Sequence, residues 1–249
     1  MDDHRVRMLV SLAGPHTGVF YGPQASDRFP LLAFVNRIGP KVIPAALFNF
    51  SKYSPQEFAN GQFQSDFNAL VLGTPALQDE LSVINLARSP VKNLWRRRNT
   101  FLPVIDNLQP CESVADADNC TCAKSRRRRN FLRLQSAHFF ASPADDVVAP
   151  WQSSVLGHYT DVATSEDLLR NFGFMRVIDA KQTDTYRHDT YGLRSLDARG
   201  GLFLYSVPDV GHSCWLADYT SIAGLACRFQ PVYERYLYPL LHTPGWGVV

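Results

Sequence analysis

Residues 132–146 read Leu132-Arg133-Leu134-Gln135-Ser136-Ala137-His138-Phe139-Phe140-Ala141-Ser142-Pro143-Ala144-Asp145-Asp146. An apolar run that is continuous instead of alternating marks a strand buried on both faces of a parallel sheet. Here it spans Leu132 to Ala141, stops at Ser142-Pro143, and delivers two carboxylates directly afterwards. In an open α/β sheet the loops leaving the strand C-termini carry ligand and catalytic groups. A carboxylate in that position can hold a catalytic histidine through its Nδ1–H. It can equally close a turn or cap the next helix.

Working outward, two further runs share the pattern. Val6 to Leu12 ends at Gly14-Pro15, and Leu202 to Val207 ends at Pro208-Asp209. Val210-Gly211-His212-Ser213 follows the last of them, so His212 stands where a general base can be presented, with Gly211 available for a tight turn. An Asp after one strand and a His after the next follow the α/β-hydrolase order Ser…Asp…His. The joint pattern is more specific than either residue alone. The serine of that order sits in a G-x-S-x-G elbow upstream of both partners, and no G-x-S-x-G occurs in these 249 residues. A nucleophile elbow is therefore expected to lie before Met1.

More than a hundred residues separate the first two strands, too many for a single crossover helix. Leu31, Phe34, Val35 and Ile38 fall on one helical stripe, and Leu77, Leu81, Ile84 and Ala87 on another. A mainly helical insertion acting as a lid is expected. Arg96-Arg97-Arg98 and Arg126-Arg127-Arg128-Arg129 could mark an anionic surface partner. No aromatic stacking platform, finger or helix-turn-helix pattern accompanies them, so solvated loop and helix-end charge is the reading adopted and nucleic acid is not an expected partner.

At 45% hydrophobic the chain can bury a sizeable core, while a net charge of +2 selects no class of partner. No apolar run reaches the ~18 residues of a membrane span. Met1-Asp2-Asp3-His4 begins acidic and no signal peptide is visible. Cysteines stand at 111, 120, 122, 214 and 227, and Cys120-Thr-Cys122 lacks the second pair and the histidines of a zinc site. Disulfides with one thiol left over are expected instead. Asn49-Phe50-Ser51 and Asn119-Cys120-Thr121 are sequons, making Asn49 and Asn119 candidate glycosylation sites.

Several blocks carry a resemblance. Met1 to Val6 with Val10-Ser11-Leu12, Gly14-Pro15-His16-Thr17-Gly18-Val19-Phe20, Pro143-Ala144-Asp145-Asp146, Pro150-Trp151-Gln152-Ser153-Ser154 and Tyr186 to Arg194 together are similar to the palmitoyl-protein thioesterase family, nearest its lysosomal branch. The resemblance covers the core of residues 1–20, 130–160 and 186–215. Residues 50–95 match poorly, and 244–249 look like an unrelated tail. It implies an α/β-hydrolase fold of which this chain is the C-terminal part. Expected divisions are 1–19 as core strand and loop, 20–128 as lid, and 129–249 as the core carrying Asp145 and His212, the implied catalytic pair, with Asp146 pointing elsewhere.

The implied function is hydrolysis of a long-chain acyl thioester, with no metal or organic cofactor and a lysosomal or lumenal setting for the full-length parent. Where that family has a cysteine on the final strand this chain has Tyr205, and Cys214 with Cys227 could substitute for the implied bridge. A catalytically inactive fragment or an acyl-binding pseudoenzyme is the alternative.

Overall fold

The structure, a computed structural model, describes residues 4–113, 117–220 and 226–242; residues 244–249 lie outside them. Its centre is a parallel sheet of β1 (Met8–Leu12), β2 (Ser136–Ala141) and β5 (Leu202–Ser206), in the order β1-β2-β5. The register sets Leu12 beside Phe140 and Phe140 beside Tyr205, so the three strand C-termini reach the same edge. A short antiparallel pair, β3 (His158–Tyr159) and β4 (Val177–Ile178), lies between the second and third sheet strands in sequence.

β2 is the most enclosed strand, every residue of it buried, as its continuous apolar sequence predicts. It begins later than Leu132, however. Leu132 and Leu134 still turn back onto Arg128 and Phe131, and their carbonyls accept from the Arg199 guanidinium at 2.8 and 2.5 Å. With those acceptors taken by a side chain, the segment stays a turn. One face of the sheet (Val10, Leu12, Phe140, Tyr205) packs against Val232, Tyr236 and Leu237; the other (Leu9, Ala137, Phe139) packs against Leu193 and Leu196. Among the described residues β1 pairs only with β2, and its other edge carries no ladder.

Between β1 and β2 the described residues form helices and irregular loops, with no strand. α1 (Arg28–Ala33) runs through a π-helical stretch, Phe34–Ile38, into α2 (Gly39–Val42). The stripe Leu31, Phe34, Val35 faces inward and Ile38 packs beside it. α3 (Pro55–Ala59) opens with a capping box between Ser54 and Glu57 and leads to α4 (Gln62–Gly73). Phe34, Phe48, Phe50, Phe63 and Phe67 share one aromatic cluster, with centroids 5.0–6.4 Å apart. The second stripe is not one helix. It divides at Leu81, which is extended, into α5 (Pro75–Glu80) and α6 (Ser82–Asn85). Asp79 and Glu80 at the end of α5 oppose the helix dipole there, yet Leu77, Ile84 and Ala87 are all buried as the periodicity requires. α7 (Lys92–Arg98), α8 (Leu102–Ile105) and α9 (Ala117–Phe131) complete the segment.

Candidate functional site

The loops after β2 and β5 are tied together by one hydroxyl. Ser142, fully buried, accepts at Oγ from Ala144 N and from Val210 N, each at 3.1 Å. Asp145 N donates to Ser142 O at 3.1 Å, closing the turn. The Asp145 carboxylate is then held at both oxygens. Oδ1 accepts from Val147 N at 2.9 Å and Val148 N at 2.7 Å, and Oδ2 lies 3.1 Å from His212 Nδ1. The turn or cap role and the histidine-holding role, read from sequence as alternatives, are thus filled by different oxygens of the same group.

Asp146 does not point elsewhere, as expected, but toward the same histidine: its Oδ1 accepts from the His212 backbone N–H at 2.8 Å. The second carboxylate holds the main chain while the first holds the ring. The Asp-Asp doublet was the only sequence signal for this, and nothing in it separates the two roles. A second correction concerns Gly211, whose φ of −64° is open to any residue. The left-handed residue of this turn is Asp209, at φ 60°, a conformation aspartate tolerates. Behind the histidine, Cys214 and Cys227 form a disulfide.

Asp145 is buried while the His212 side chain is 34% exposed. The Asp145 hydrogen bond raises the imidazole pKa above its ordinary 6.5; burial opposes this, and the Asp145 and Asp146 charges add to it. With Nδ1 engaged, Nε2 is the edge left for chemistry, and it has no hydrogen-bond partner among the described residues. His212 lines a cavity of about 270 Å³ that runs into the helical segment between Val148, Phe34, Phe63, Phe67 and Val71. The cavity wall is tied to the sheet loops, since Phe20 N donates to Ala149 O at 2.7 Å and Val19 N to Leu86 O at 2.7 Å. Four polar residues missed by sequence reasoning, Gln64, Asn68, Arg88 and Ser89, also line it. The first two sit at i, i+4 on α4 beside Phe63, Phe67 and Val71, a pattern readable in principle from spacing.

Arg88 is buried, lies 4.2 Å from the Trp95 ring and donates to Asp161 at 2.8 Å. Lys92 and Arg96 both meet Asp184 at 2.5 Å, fastening α7 to the chain beyond β3. Parts of the two arginine runs are therefore structural: Arg96 in this network, Arg127 donating to Asn107 Oδ1 at 2.7 Å, and Arg128 paired with Asp189. Cys111 pairs with Cys120, leaving Cys122 free and exposed. Asn49 and Asn119 are exposed. A separate contact joins Ser11 Oγ to His16 Nε2 at 2.6 Å. No carboxylate hydrogen-bonds His16 among the described residues, and burial pushes its imidazole down to about 4. No helix among the described residues is long and apolar enough to cross a membrane.

The family model described as palmitoyl protein thioesterase matches residues 1–212. Among individual proteins, the chain is similar to lysosomal thioesterase PPT2-B of Xenopus laevis, 34% identical over 137 residues, 55% of this chain and 40% of that protein. It is 26% identical to lysosomal thioesterase PPT2 of Homo sapiens over 221 residues, 88% of this chain and 56% of that protein. It is 24% identical to the lysosomal thioesterase PPT2 homolog of Drosophila melanogaster over 216 residues, 86% of this chain and 56% of that one. The chain spans about half the length of the curated relatives it matches.

Proposed function

Because this chain belongs to the palmitoyl protein thioesterase family, we propose that it hydrolyses long-chain acyl thioesters, with Asp145 and His212 serving a serine contributed by sequence N-terminal to these residues. The observation that carries the reading is the hydrogen bond between Asp145 Oδ2 and His212 Nδ1 beside an apolar cavity. His212 Nε2 takes the serine proton while Asp145 holds the tautomer and stabilises the imidazolium; the serine oxygen bonds to the acyl carbon, the C–S bond breaks, and the thiol leaves with the proton from His212. Water that gives its proton to His212 then releases the fatty acid and restores the serine. No cofactor is assigned to these steps.

The segment 20–128 acts as a lid over the core formed by 1–19 and 129–249. Its cavity takes the acyl chain, each buried methylene contributing ~0.8 kcal/mol. The upstream position of the serine is supported by the absence of G-x-S-x-G from these residues and by the edge of β1 that is unpaired among the described residues. That edge is where a preceding strand of a doubly wound sheet would pair. A lysosomal or other lumenal setting is supported by the two disulfides and by the names of the relatives.

The test is palmitoyl-CoA hydrolysis by the 249 residues alone and by the same residues joined to their natural upstream sequence. Turnover is expected only in the second, and abolished there by His212→Ala. Equal turnover in both, or turnover insensitive to His212, overturns the proposal.

A further inference from the structure

We infer that the cavity beside His212 selects an acyl chain carrying a hydroxyl group along its length, an inference that rests on the acyl-thioesterase reading above. Gln64 and Asn68 lie one turn apart on α4, only 3% and 5% exposed, and both line the cavity. Gln64 Nε2 donates to Phe58 O at 3.3 Å. Gln64 Oε1 and both polar atoms of the Asn68 side chain have no partner among the described residues.

Among the described residues the three other buried amide side chains are treated differently, although the half-buried Asn130 also keeps a partnerless Oδ1. Gln78 donates to Val71 O and Arg98 O and accepts from Thr100 N. Asn99 donates to Asn85 O and accepts from Phe101 N and Leu102 N. Asn107 donates to Lys124 O and Thr190 O and accepts from Arg127. Buried polar groups are paired as a rule, so an exception that faces a ligand cavity points to the ligand.

Phe63, Phe67 and Val71 flank the pair on the same helix, so the polar turn interrupts the otherwise apolar contribution that α4 makes to the cavity wall. These three polar atoms are already shut off from solvent, and a plain alkyl chain beside them would bring no partner, leaving each at its desolvation cost. The free atoms of the pair offer one amide donor and two carbonyl acceptors, and Arg88, which also lines the cavity, adds a partnerless Nε–H among the described residues. A group that both donates and accepts, carries no charge and is small enough for an alkyl chain to bring along answers that set, and a hydroxyl is such a group. Sites built to bond a substrate hydroxyl discriminate strongly against the analogue that lacks it.

The experiment measures displacement of a fluorescent fatty acid from the protein by stearic acid and by a series of hydroxystearic acids differing in hydroxyl position. At least one positional isomer should bind roughly tenfold tighter than stearic acid. Asn68→Leu should abolish that preference while stearic acid binds as well or better. The variant's melting temperature should hold or rise, because an unpaired buried amide has been removed. If the protein binds no isomer better than stearic acid, an ordered water satisfies the pair and the inference is overturned with the acyl cavity intact. If it binds neither kind of fatty acid, the acyl reading itself fails. The isomer comparison on the unaltered protein decides the matter even if the variant does not fold.

Discussion

Asp145 and Asp146 are adjacent in sequence, and both reach His212, but they hold different parts of it. Asp145→Asn keeps the shape of the site and loses the charge that fixes the tautomer. By analogy with the serine-hydrolase triad, kcat should fall by about 10⁴. The same change removes the chief cause of the raised imidazole pKa. Because the base must be neutral, activity should rise with pH on a limb set by His212, and Asp145→Asn should move that limb to lower pH. Asp146→Ala removes a charge-assisted bond to the His212 N–H, a loss of about 1.5–3 kcal/mol, and should lower kcat by roughly 10- to 100-fold with KM little changed. Asp146→Asn keeps an acceptor and should lose less. Full pH–rate profiles of the three variants check this; equal effects of Asp146→Ala and Asp146→Asn on kcat would show that the acceptor is irrelevant. At this scale the turn residues that mark the strand ends located the two loops on which Asp145 and His212 meet. The sequence misplaced Asp146, because which way a side chain leaves a turn depends on contacts made 66 residues away.

The loop carrying His212 is short and irregular, so what lies behind it matters. The Cys214–Cys227 bridge closes a sequence separation of 13, which constrains the unfolded chain by about 3 kcal/mol in the loop-entropy account. Replacing both cysteines by serine should lower unfolding free energy in urea by about that amount and lower kcat, since the loop that presents the imidazole is loosened. A double variant as stable as the parent would contradict this. Elements were legible in proportion to the clarity of their period. β1 and β2 stood out as continuous apolar runs, and Leu31 to Ile38 as a helical stripe. Leu77 to Ala87 kept its buried face but not its continuity, because hydrophobic spacing does not report an extended residue such as Leu81 between two short helices. The cavity walls were largely illegible. Phe34, Phe63 and Val148 come from distant parts of the chain, and only packing brings them together.

Across the whole molecule, buried ionisable groups oppose one another in their response to acid. Burial pushes Asp27 up to about 6 and Asp106 to about 7, hydrogen bonds in the first case and Arg88 in the second working against it. The folded state therefore takes up these protons first, and stability is gained as pH falls from those values toward 3.8. Burial pushes His16 down to about 4 and His158 to about 3, with Arg88 adding to the second. Their contribution is present above 6.5 and is lost as pH falls from there toward the folded values. The windows overlap between about pH 4 and 6.5, so the melting temperature should change little there. Asp184 sets the lower limit: burial raises it, but Lys92 and Arg96 outweigh that and bring it to about 2, so its stabilisation is lost below 3.8. A His158→Gln variant should instead become more stable on acidification through this window, and melting curves from pH 7 to 3 test both statements. The central claim is that the Asp145–His212 pair activates a serine lying before these residues. Its most direct test is rapid quench of the natural protein with a palmitoyl thioester, followed by peptide mass spectrometry. The account predicts one palmitoyl ester, on a serine N-terminal to residue 1, absent in His212→Ala; an adduct on a residue within 1–249, or one formed equally without His212, would contradict it.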